Sequence, residues 1–169
     1  AALSRFWRAH GHVTEVRRWL SQGLSQADRL SADVHADALW TAARQAAAQS
    51  DWGAATAFLE EALPLFRESG REREVVFTLS ELAFMALRRN DPEQAAALSE
   101  EAVSIARDLG DARATSSALT ILGEVRSAEG DHTRALAHLE EAVAQRRELG
   151  DVLLVTDAVF NLGWVAFLA

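Results

Sequence analysis

The chain has 169 residues, 49% of them apolar, a formal net charge of −8 and no cysteine. That is one domain's worth of chain or one repeat array, with enough apolar side chains for a continuous core. The missing cysteine excludes a disulfide framework and thiolate chemistry, and the acidic balance argues against the whole chain gripping nucleic acid or an anionic membrane.

Ala and Leu dominate, Pro occurs twice and Tyr never, a composition that favours helix over strand. All 17 basic residues are arginine. Their distribution is uneven: residues 1–18 carry Arg5, Arg8, Arg17 and Arg18 against Glu15, a net of +3, which leaves −11 for the rest. The N-terminus lacks the basic-then-apolar pattern of a signal peptide, so the expected location is cytoplasmic.

In chain order, Ala1 to His10 reads as the end of a helix, with Leu3, Phe6 and Trp7 at helical spacing. Gly11 and His12 break it, and Val13 to about Asp28 forms the next. Thereafter the pattern alternates helix A, short turn, helix B, short turn. The expected spans are Asp33–Gln49 and Trp52–Glu68, Arg71–Arg88 and Pro92–Leu109, Ala112–Glu129 and His132–Leu149, then an A helix from Val152 to Ala169. Asp51, Asp91 and Asp131 stand where an N-cap carboxylate accepts backbone N–H bonds. Pro92 occupies the first helical position, where its missing donor does no harm. Gly70, Gly110 and Gly150 follow B helices, where a left-handed residue is expected.

The segment Gly130 to Asp151, GDHTRALAHLEEAVAQRRELGD, has near-copies at Asn90–Asp111 and Ser50–Arg71 and a degraded one at Gly11–Ala32. Starts at 11, 50, 90 and 130 give a period of 39 to 40 residues, the signature of stacked supersecondary units. The expected units are about 1–31, 32–70, 71–110, 111–150 and a partial 151–169 within one repeat domain. Registering them aligns small residues: Ser4, Ala43, Ala83, Gly123 and Gly163 in helix A; Val16, Ala55, Ala95 and Ala135, then Gly23, Ala62, Ala102 and Ala142, in helix B. Small residues there let helices approach closely, while Leu39, Leu79, Leu119 and Leu82, Leu122, Leu162 fill the space between.

At Leu119, Leu122, Gly123, Ala135, Leu139 and Ala142 the chain resembles the tetratricopeptide repeat. Arg126 departs from that pattern at a usual aromatic position and Ser99 at a usual large one, with Leu98 beside it. The usual repeat has about 34 residues; these units are longer. The resemblance implies an all-α, right-handed superhelical solenoid of antiparallel helix pairs that binds protein or peptide, without enzymatic activity and without a cofactor. The opening segment FWRAHGHVTEVRRWL makes the chain similar to the C-terminal arrays of large bacterial LuxR-type and related signalling ATPase regulators, which implies a sensor or interaction arm. The chain begins within a helix and ends on an A helix without its partner, so a fragment of a larger protein is expected, whose other domains are further candidate partners.

No catalytic motif is present: there is no phosphate-cradling Gly-rich loop and no His-Glu-x-x-His. His10, His12, His35, His132 and His138 read as surface or capping residues, since His10 and His12 lack a third ligand nearby. The pairs Glu60-Glu61, Glu100-Glu101 and Glu140-Glu141 recur once per unit. Adjacent helical residues diverge by about 100°, so they form a solvated acidic ridge and not an acid/base dyad.

The resemblance places the A helices along a concave groove, with Arg5, Arg8, Asp37, Trp40, Arg44, Phe77, Ser80, Phe84, Leu87, Thr120, Glu124 and Ser127 pointing into it. Trp40, Phe77, Phe84 and Leu87 would form an apolar floor beside arginines, as a partner-binding hot spot requires; the alternative is that neighbouring helices bury these rings. Relatives that clamp a C-terminal carboxylate use Lys and Asn there, and this chain has no Lys. Val152 to Ala169 is apolar enough to raise the question of a membrane span. The register of Leu162-Gly163 with Leu122-Gly123 answers it as an A helix, and no membrane or direct nucleic-acid partner is expected. Two alternatives to a protein or peptide partner stand beside the groove. One is sensing of a small ligand such as a sugar or peptide. The other is self-association into a homo-oligomer through an apolar flank of Phe160, Trp164 and Phe167.

Overall fold

Three residues separate successive helices, and each of the three has a physical task. The structure, a computed structural model, describes residues 31–150 and 152–168, the side chains of 152–154, 157 and 168 excepted. Among them are seven helices of 17 residues: α1 Ala32–Ala48, α2 Trp52–Glu68, α3 Glu72–Arg88, α4 Pro92–Asp108, α5 Ala112–Ala128, α6 His132–Glu148 and α7 Val152–Leu168. No strand occurs among the described residues, and the expected spans hold to within a residue at the described ends.

The turn Gln49-Ser50-Asp51 shows how the spacing is enforced. Ser50 takes φ 60°, so its N–H reaches the Ala47 carbonyl while the Asp51 N–H reaches Ala46. These two bonds satisfy carbonyls that the helix end would leave bare. Asp51 then caps α2 by accepting the Ala54 N–H at 3.1 Å. Asn90, at φ 61°, and Gly130, at φ 83°, repeat the device ahead of Asp91 and Asp131, which cap α4 and α6. Asp111 caps α5 in the same way, through the N–H groups of Arg113 and Ala114.

Two compact units divide the chain, Ala1–Ser69 and Gly70–Ala169. In the first, α1 packs on α2. Leu39, Ala43, Ala55, Leu59, Ala62 and Phe66 are buried there, and His35 lies 3.5 Å from Glu61 across the pair. In the second unit each helix from α3 to α7 packs on the next, and the A helices α3, α5 and α7 also touch in sequence. They form an inner layer flanked by α4 and α6. Leu79, Leu82, Leu119, Leu122 and Leu139 are buried between the layers, with Ala83, Ala95, Ala102, Ala135 and Ala142 at 1% exposure or less. From α1 to α6 the aligned small and large columns are therefore the packing surfaces, whereas Gly163 of α7 is exposed. Val125 forms one cluster with Ala86 and Ala95, and Val165 another with Ala135 and Leu139.

The glutamate pairs and Arg126 lie outside this core. Glu60, Glu61, Glu100, Glu101 and Glu140 are exposed. Arg126, at the position where an aromatic is usual, pairs with Glu100 and with Glu129, and Arg107 reaches Glu141 at 3.0 Å. Exposed pairs of this kind contribute about 0–1 kcal/mol each; those to Glu100 and Glu141 link different helices, that to Glu129 closes the end of α5, and none offers a paired acid and base. Among the described residues no group of three His, Cys, Asp or Glu could hold a metal ion. No helix among them is long and apolar enough to cross a membrane. His10 and His12, with Ser4, Val16 and Gly23, lie outside the described residues.

Candidate binding cleft

The 40-residue register places Phe84 of α3, Glu124 of α5 and Trp164 of α7 at one level of the inner layer. Leu87, Ser127 and Phe167 occupy the next level. Because α3, α5 and α7 lie side by side, these levels meet in a cleft of about 590 Å³ on the second unit. Phe84, Leu87, Arg88, Glu124, Ser127, Ala128, Asn161, Trp164 and Val165 line it.

Apolar walls surround a polar centre. Phe84 and Leu87 are half-buried and Trp164 is 58% exposed, so their outer faces are open to a ligand. The Arg88 guanidinium lies over the Phe84 ring, 5.9 Å from its centroid. The Asn161 amide donates a 2.6 Å hydrogen bond to a Glu124 carboxylate oxygen. Burial pushes the Glu124 carboxyl above its usual range, against the Asn161 bond and the nearby charges of Arg146 and Arg88. Desolvation thus outweighs the support its neighbours give the anion.

Of the residues expected in a groove, Phe84, Leu87, Glu124 and Ser127 come together here. Phe77 is half-buried in α3 but does not line this cleft. Ser80 and Thr120 are 6% and 7% exposed. Their hydroxyls donate to the carbonyls of Val76 and Ser116 one turn back, which leaves them little to present to a ligand. In the first unit Asp37 and Arg44 are exposed, Trp40 is half-buried, and the Arg44 guanidinium sits 4.9 Å from the Trp40 ring centroid. Arg5 and Arg8 lie outside the described residues.

Trp164, expected on an uncovered flank, is part of the cleft, since two periods separate it from Phe84. Phe160 and Phe167 of the same helix are 72% and 81% exposed. Arg88, Ala128, Asn161 and Val165 were not anticipated. The register could have found Asn161 and Val165, which stand 40 residues after Ile121 and Val125.

No protein-family model and no curated protein matches this sequence. Solved structures are similar in fold. BtubC from P. vanneervenii superposes with a TM-score of 0.80 at 22% identity, covering 96% of this chain and 68% of that one. RapI in its apo form gives 0.85 at 13% identity, over 95% of this chain; the chain spans only 59% of RapI's length. A Podosopora anserina putative kinesin light chain with nearly identical TPR-like repeats gives 0.76 at 20% identity, over 97% and 82% of the two chains. At such identities the likeness establishes the fold alone: an all-α solenoid of antiparallel helix pairs built from tetratricopeptide-like repeats.

Proposed function

We propose that this chain is a non-catalytic repeat scaffold that holds a protein or peptide segment in the α3–α5–α7 cleft. One observation carries the reading: Phe84, Leu87 and Trp164 keep open apolar faces around a half-buried, hydrogen-bonded Glu124. Apolar area supplies affinity on contact, and a few placed polar groups fix the orientation of what binds. The tetratricopeptide-like fold of the similar structures supports a scaffold. The segment FWRAHGHVTEVRRWL supports the finer proposal of a sensor or interaction arm in a bacterial transcriptional or signalling regulator.

The test is selection of a random dodecapeptide phage library on the purified chain, followed by titration of the selected peptides. Phe84→Ala and Trp164→Ala are each expected to weaken binding at least about tenfold, the usual penalty for truncating an aromatic anchor. Helix content by circular dichroism should be unchanged, because both rings keep open faces. Peptides that bind the two variants as tightly as the parent would remove the cleft from the proposal.

A second reading comes from the exposure of Phe160 and Phe167. The Trp164 and Phe167 rings lie 6.2 Å apart at 34°, extending an apolar patch along α7. Patches of this kind mark interaction sites. Self-association through α7 predicts a mass that rises with concentration in light scattering and returns to the monomer in the double variant Phe160→Ser, Phe167→Ser. A monomeric mass for the parent at all concentrations eliminates it.

A further inference from the structure

The A helices of this protein treat their aromatics in a repeated way. Trp40 is followed four residues later by Arg44, whose guanidinium sits over the indole at 4.9 Å. Phe84 is followed four residues later by Arg88, over the phenyl ring at 5.9 Å. Residues four apart on a helix are neighbours, and a guanidinium over a ring face is attracted by the ring's negative π cloud. Trp164 breaks the pattern. The residue four positions on is Leu168, so the chain supplies no arginine at that spacing.

Trp164 nonetheless stands at the level of the cleft carboxylate. Glu124 lines the same cleft and is bonded to Asn161, three residues before Trp164. An aromatic face open to solvent beside a partly desolvated carboxylate is an environment suited to a cation, above all to a planar, weakly hydrated guanidinium. The charge of the whole unit has the same sense, while within the lining of the cleft Arg88 balances Glu124. The second unit carries 10 arginines against 17 aspartates and glutamates, a net of −7. That charge steers basic partners toward it and repels acidic ones.

We propose that the cleft recognises a basic side chain, arginine above all, of a protein or peptide segment, stacked on Trp164 and paired with Glu124. Arg88 already occupies the Phe84 side, so the incoming cation takes the α7 side, and apolar residues flanking it cover Leu87 and Val165. This rests on the cleft being the binding site, and the experiment separates the two claims.

Random dodecapeptides displayed on phage are selected on the purified full chain, and the strongest are synthesised with each arginine replaced in turn by citrulline, which keeps the shape and removes the charge. The expected result is enrichment of an arginine between apolar residues, with about a tenfold loss on its replacement by citrulline, as for a charge-assisted hydrogen bond. Glu124→Gln should lose a similar factor for the arginine peptide and no longer distinguish it from the citrulline form. That double comparison isolates the pair from any general effect of the variant. Peptides weakened by Trp164→Ala but indifferent to citrulline, or lacking a basic residue, would overturn the inference and leave the cleft in place. Peptides indifferent to Trp164→Ala would also overturn the inference, and peptides indifferent to Phe84→Ala as well would overturn the cleft with it.

Discussion

Leu139→Ala is expected to lower the unfolding free energy by about 3 kcal/mol, the typical penalty for a cavity left by a buried leucine. Leu139 is fully buried in α6 and closes against Gly123 of α5. A Cβ added at Gly123 would stand 2.7 Å from the Leu139 Cγ and 3.3 Å from the Ala135 carbonyl oxygen. The glycine is there for the approach of two helices; its φ is not in the left-handed region. Gly123→Ala alone therefore overpacks the contact and should cost about 1–2 kcal/mol. With Leu139→Ala already made, the added methyl fills vacated space and gains helix propensity, so the double variant should be more stable than the sum of the singles by about 1 kcal/mol or more. Gly163 is the built-in control. It occupies the same column, but nothing lies within 4 Å of its added Cβ, so Gly163→Ala should stabilise by about 0.5–1 kcal/mol. Urea unfolding followed by circular dichroism reads all four variants. Strict additivity at Gly123 and Leu139 would show that the helices do not meet there.

That contact also shows what the sequence could reveal. Caps and turns were legible because their chemistry is local: an aspartate at the N-cap and a glycine after the helix each solve a problem posed within four residues. The small and large columns were legible because each unit poses the same packing problem. Less legible were features where one residue type has two uses. The repeat resemblance places Ser80 and Thr120 in the groove, and their hydroxyls satisfy the helix's own backbone. Ser50 and Asn90 adopt the left-handed conformation without being glycine, because the closing hydrogen bonds of the turn outweigh a local strain. Trp164 is expected on an uncovered flank because α7 has no B helix after it in this chain, and its place 80 residues after Phe84 brings it to the cleft as well.

Arg146 is the sharpest departure from the repeat, and replacing it should separate volume from charge. Its register equivalents are Phe66 and Ala106, both fully buried, yet the arginine is itself only 4% exposed. One guanidinium nitrogen reaches the Ser116 carbonyl at 3.4 Å. A buried cation is held at a desolvation cost, and Arg146→Met removes that cost while keeping most of the volume, so it should lose less stability than Arg146→Ala. Arg146→Ala leaves a void as well and should lose about 2–4 kcal/mol. The charge has a second consequence through Glu124, whose carboxyl Arg146 holds down against the upward push of burial. A carboxyl raised in the folded state binds its proton more tightly there than in the unfolded chain. Its ionisation therefore lowers stability as pH rises from the ordinary carboxylate range through the folded-state value. Without Arg146 the upward push grows, so Arg146→Met should lose more stability than the parent between mildly acidic and neutral pH. Adding Glu124→Gln to Arg146→Met should abolish that extra slope, since the titrating group is gone. Urea midpoints at the two pH values measure it. An Arg146→Met chain with the parent's pH dependence would mean that the arginine does not act on Glu124.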